Sequence, residues 1–96
     1  MKALHLGLAA HLVFMVSAHA LADDSDLAKS KGCLACHAVD QTKAAPSFKS
    51  LATKYAGKSD AAAALMAKLR DGKGHLKAVA SDAELKTLIA YILAIK

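Results

Sequence analysis

Cys33, Cys36 and His37 are the residues of this chain best equipped for chemistry, and they stand together as Cys33-Leu34-Ala35-Cys36-His37. Two cysteines three apart, with a histidine directly after the second, form the attachment pattern of c-type haem. Each thiol adds to a vinyl group of the porphyrin and the adjoining imidazole ligates the iron. The spacing has a geometric reason. Residues three apart share a face over one helical turn, so both sulfurs can meet one edge of a flat macrocycle while the next residue swings beneath the metal.

Three other chemistries use the same residue types. A redox dithiol of the thioredoxin kind also carries C-x-x-C, but it sits beside a strand-rich βαβ unit, and no strand pattern occurs in this sequence. Cys33, Cys36, His37 and the distant His75 add up to four zinc ligands, although adjacent Cys36 and His37 would chelate awkwardly. A plain disulfide is the third.

The segments around the motif indicate where it works. Residues 1–22 carry Lys2, then the apolar run from Leu4 to Val16 broken only by His5, Gly7 and His11, then Ala20-Leu21-Ala22 before Asp23-Asp24. This reads as a secretory signal peptide cleaved after Ala22. The run is shorter than the roughly 20 apolar residues a spanning helix needs, so stable membrane insertion after cleavage is not expected. Export matches the motif, because bacteria attach haem covalently outside the cytoplasmic membrane; the expected compartment is the periplasm. Cleavage leaves 74 of the 96 residues as one domain, 23–96, with His37 and His75 its only histidines. So short a chain needs a metal, disulfide or other staple to complete its core, and a covalently held porphyrin would supply that apolar mass.

Lys2 leaves with the signal, so the formal charge falls from +5 to +4. The lysines are spread along the chain and aromatics make up only 4% of it, which argues against a nucleic-acid surface. Most of these lysines read as solvated; the functional reading is a ring around an exposed haem edge that steers acidic redox partner proteins.

Helical signals account for the rest of the domain. Asp24 or Ser25 can cap a first helix running to about Lys31, and Gly32 then lets the backbone lie close to whatever packs on it. Ser47 to Tyr55 reads as a second helix, with Phe48, Leu51, Ala52 and Tyr55 along one side. Ser59 or Asp60 caps a third through Arg70, with Leu65 and Leu69 inward. After a glycine-bearing loop, Ser81-Asp82-Ala83-Glu84 forms a capping box that opens a last helix with Leu85, Leu88, Ile89, Ile92 and Leu93 at i, i+3, i+4 spacing.

In this order the segments resemble the short bacterial class I cytochromes c with a single haem. The resemblance rests on Lys31-Gly32-Cys33-Leu34-Ala35-Cys36-His37-Ala38, on Pro46-Ser47-Phe48-Lys49 ten residues after Cys36, on Lys54-Tyr55-Ala56-Gly57, and on Ser81 to Lys96 with Tyr91. It implies an all-α class I cytochrome c fold, about four short helices wrapped around one covalently attached haem c. It implies Cys33 and Cys36 as the attachment residues, His37 as proximal ligand, and the Pro46 carbonyl as acceptor for the other nitrogen of that ring. Ala45 stands where the family often has glycine.

The larger departure concerns the sixth ligand. The family places a methionine in a proline-rich loop before the last helix. Here that loop reads Asp71-Gly72-Lys73-Gly74-His75-Leu76-Lys77-Ala78-Val79, without methionine or proline. His75 is the expected axial ligand in its place, with a vacant or water-filled position and Met66 on the third helix as the alternatives. Two imidazoles imply a low-potential electron carrier, since thioether ligation raises the potential. The alternative function is a haem-based sensor or gas-binding cytochrome with an open or displaceable sixth position. No acid and base pair accompanies the motif, so the chain is not read as an enzyme.

Overall fold

The computed structural model describes Gly7, Leu12 and residues 20–96. The reading of residues 1–22 as a cleaved signal falls almost entirely outside them. Four helices follow one another: α1 (Ala20–Ser30), α2 (Phe48–Tyr55), α3 (Ala61–Asp71) and α4 (Asp82–Leu93), with a short 3-10 turn at Cys33–Ala35 after α1. The described residues contain no strand.

The last helix organises the others. Its start is defined by the capping box: the Ser81 hydroxyl accepts the Glu84 N–H at 3.1 Å, and the Glu84 carboxylate accepts the Ser81 N–H at 2.9 Å. From there the apolar spacing turns Leu85, Leu88, Ile89 and Ile92 inward, all buried. Burying side chains of this size stabilises the fold by about 1.5–3 kcal/mol each. α4 packs against α1, α2 and α3 in turn. The central cluster joins it to Ala28 of α1 and Phe48 of α2, with Leu51, Met66, Leu69 and Tyr91 packed around it. Lys31, just past α1, reaches Glu84 at 3.0 Å and ties the end of the first helix to the start of the last.

Helix starts depart from the sequence reading in two places. In the full chain α1 begins at Ala20, so Asp24 and Ser25 lie within the helix and not at its cap. At α3, Asp60 occupies the cap position with φ −94° and ψ 4°, and its carboxylate makes no cap hydrogen bond. The chain enters α3 through tight turns, Lys58 N–H to Tyr55 O and Ala61 N–H to Lys58 O, and not in the extended conformation that aims a cap side chain at the helix. Ser47 shows the contrast. Extended at φ −64° and ψ 153°, it caps α2 by accepting the Ser50 N–H at 3.0 Å.

Gly32 also plays a different part from the one its position suggests. A Cβ there would meet nothing within 4 Å, so no close approach requires glycine. Its φ of +80° does: the chain leaves α1 and enters the Cys33–Ala35 turn through a left-handed residue, which an L side chain resists.

Candidate haem site

The 3-10 turn holds both thiols on one short element. Cys33 is half-buried and Cys36 exposed, and neither forms a disulfide. Burial pushes the Cys33 thiol above its usual value. The turn is tied down by its backbone, with Ala35 N–H on Gly32 O and both the Cys36 and His37 N–H groups on Cys33 O. The Lys43 ammonium caps it from outside by donating to Leu34 O at 3.1 Å.

His37 leaves this turn into a loop that folds back on itself. Ala45 N–H donates to Cys36 O at 3.0 Å, while Phe48 and Lys49 N–H donate to Ala38 and Val39 O at 2.9 Å. Ala45, where glycine would be more usual, needs no left-handed backbone, since no non-glycine residue among the described residues has positive φ. The fold-back brings the Pro46 carbonyl to 2.5 Å from His37 Nδ1. A carbonyl oxygen can only accept, so Nδ1 donates and, in the neutral ring, Nε2 keeps the lone pair that a metal would take. The imidazole is braced from behind by Phe48, ring centres 5.3 Å apart, and Phe48 meets Tyr91 of α4 edge to face at 6.3 Å. Sequence spacing marked Phe48 only as a core residue. Its contact with His37 depends on the loop path between them and has no local signal.

His75 sits in the loop between α3 and α4, exposed. Its Nδ1 lies 2.6 Å from the Leu76 carbonyl and by the same argument is the donor, which in the neutral ring makes Nε2 the acceptor. Although 38 residues separate it from His37, the two rings are parallel to within 6° and their centres are 6.1 Å apart. Imidazole nitrogens bind such metals at about 2 Å, so two rings facing one ion in line have centres about 6 Å apart. Met66, half-buried, packs against the core and lines the groove between α3 and α4 with Ile89 and Leu93. Neither imidazole borders that groove.

These residues fit a haem. The thiols are free, two parallel imidazoles stand with their centres 6.1 Å apart, and Leu76 and Val79 beside His75 are 84% and 88% exposed, apolar surface that a porphyrin could cover. A four-ligand zinc site fits less well: among the described residues no three His, Cys, Asp or Glu side chains converge to hold a metal ion. A porphyrin supplies four nitrogens itself and asks the protein only for axial ligands. No described helix is long and apolar enough to cross a membrane.

Comparison with known proteins points the same way. The sequence model of the cytochrome c family matches residues 22–96. Cytochrome c-552 of Nitrosomonas europaea is 38% identical over the full length of both chains. Cytochrome c-552 of Hydrogenobacter thermophilus is 40% identical over 76% of this chain and 82% of its own. Among solved structures, the class 1 cytochrome MtoD of Sideroxydans lithotrophicus ES-1 superimposes with a TM-score of 0.70 at 33% identity, covering 78% of this chain and 95% of that one. The chain therefore belongs to the cytochrome c family, as a short monohaem class I member that carries one covalently attached haem c and serves electron transfer.

Proposed function

We propose that the protein is a periplasmic carrier of single electrons at low potential, with haem c joined through Cys33 and Cys36 and its iron ligated by His37 and His75. The observation that carries this reading is the pair of parallel imidazoles 6.1 Å apart, each with Nδ1 on a backbone carbonyl. Bound haem supplies a one-electron couple. The chain's own residues determine what is done with it. His37 and His75 would both be taken up as ligands and leave no room for a substrate, so the chain would serve as a carrier and not as a catalyst. The Nδ1–H bonds fix both tautomers and raise the basicity of both ligands. With imidazole in place of thioether, the potential falls below that of His/Met relatives. Met66 is left as packing.

The leader at residues 1–22 supports export to the periplasm. Lys43, Lys73 and Lys77, exposed on the two histidine-bearing loops, suit acidic redox partners, whose approach they would steer over a Debye length of about 8 Å at physiological salt.

The optical spectrum of the purified holoprotein tests the ligand set. The wild-type protein should be six-coordinate and low-spin in both redox states, and His75→Ala should turn it five-coordinate or water-bound. An unchanged spectrum in His75→Ala, or a far-red sulfur-to-iron charge-transfer band in the wild type, would overturn His75 in favour of a vacant site or Met66.

A further inference from the structure

The loop that carries His75 has little internal structure. No backbone hydrogen bond among the described residues involves the N–H groups of residues 73–77. It is fastened only at its root, where α3 ends and α4 begins. Ala78 N–H donates to Leu69 O at 2.8 Å, closing the loop over the last turn of α3. Next to Leu69, the Arg70 guanidinium grips Asp71 with two nitrogens, Nε at 3.1 Å and Nη2 at 3.4 Å. Its third nitrogen reaches across the loop to Asp82, the first residue of α4, at 3.9 Å.

This arrangement costs something by itself, which makes its presence informative. Asp71 stands at the C-terminal end of α3, where the helix dipole disfavours a carboxylate, and Arg70 offsets that. Asp82 sits at the N-terminus of α4, where the dipole favours it. One cation thus joins the two helix ends that set the span of the His75 loop, hydrogen-bonded to Asp71 and ion-paired at longer range with Asp82, both contacts open to solvent.

We infer that Arg70 is a positioning residue for the axial histidine, an ionic latch between Asp71 and Asp82 that slows the departure of His75 from the haem iron. The inference rests on the proposed His37/His75 ligation. Its strength is that of an exposed ion-pair cluster, so the effect on the rate of departure is about two- to five-fold. Because the contacts are exposed, salt weakens them, the screening length falling to about 3 Å near 1 M.

Carbon monoxide binding to the reduced holoprotein reads this rate directly. At saturating gas, binding is limited by the departure of His75. Arg70→Gln should raise that limit about two- to five-fold, and Arg70→Lys, which keeps the charge but not the fork, should lie between. In the wild type the limit should climb toward the Arg70→Gln value between low salt and about 1 M, while Arg70→Gln stays flat. A merely structural role for Arg70 would not give that difference in salt response. Equal limits in the wild type and Arg70→Gln, or a wild-type limit insensitive to salt, overturn the latch; the salt series needs no variant to fold. His75→Ala separates the two readings. If it stays low-spin, the ligation itself is wrong; if it loses the low-spin spectrum while Arg70→Gln leaves the limit unmoved, only the latch is wrong.

Discussion

The segment bearing His37 and the loop bearing His75 do the same local thing by different means. Each sets an imidazole Nδ1 on a backbone carbonyl. For His37 the acceptor is nine residues away, and the loop between is stitched by the Cys36, Ala38 and Val39 carbonyls and braced by Phe48. For His75 the acceptor is the next residue, and the loop is fastened only at its ends. One imidazole is held by the fold and the other by a short arm. Under the proposed ligation, a change of ligand should therefore begin at His75.

The largest expected sign of this contrast is in amide exchange of the holoprotein. The amides of Ala45, Phe48 and Lys49 should exchange orders of magnitude more slowly than those of residues 73–77, since the former are bonded to backbone carbonyls and the latter are not. Equal protection would break the comparison.

Next comes Phe48→Ala. The ring is buried, backs His37 and meets Tyr91, so its loss should cost about 3–5 kcal/mol in denaturant unfolding of the holoprotein. The damage belongs on the His37 side. A variant that unfolds normally would show that the brace is not needed.

Two glycines sharpen the contrast further. Gly32 precedes the thiol-bearing turn at φ +80° with open space around it, and Gly72 begins the His75 loop at φ +72° with His75 O 3.5 Å and the Lys77 Cβ 3.6 Å from where a Cβ would stand. Alanine at either should cost about 1–2 kcal/mol in stability. Gly72→Ala should also alter the spectrum, because there the strain of a left-handed alanine falls on the root of the His75 loop.

The smallest effect concerns Glu84, which bridges the two regions by capping α4 and pairing with Lys31. The Ser81 N–H and then Lys31 hold its carboxyl below the usual glutamate range. A depressed value means that its stabilisation is complete above the ordinary value and lost as pH falls through the lowered one, so the loss belongs below about pH 4.3. Glu84→Gln should flatten that part of the acid-unfolding curve slightly. An unaltered curve would mean the pair is too solvated to matter.

How much of this could be read beforehand depended on the range of each interaction. The capping box at Ser81, the inward side of α4 and the C-x-x-C-H turn are set within four or five residues, and the structure holds them where spacing puts them. Asp60 and Gly32 look equally local but were decided by how the chain arrives: a tight turn disables one cap, and a left-handed step makes glycine necessary where no neighbour does. The candidate site divides in the same way. The residue types were evident in order along the chain, but nothing short-range indicates that His75 lies parallel to His37 or that Arg70 reaches Asp82.

The sequence by itself determined the helices, the thiols and the family, because hydrophobic period, caps and a five-residue motif act over a single turn of chain. Only the tertiary structure decided which side chains face one another across the site. Packing α4 against three helices brings together residues 38 apart, Phe48 behind His37, and the two ends of the His75 loop beneath one guanidinium. Such meetings follow from how the helices pack as rigid bodies, a property that no stretch of chain carries alone.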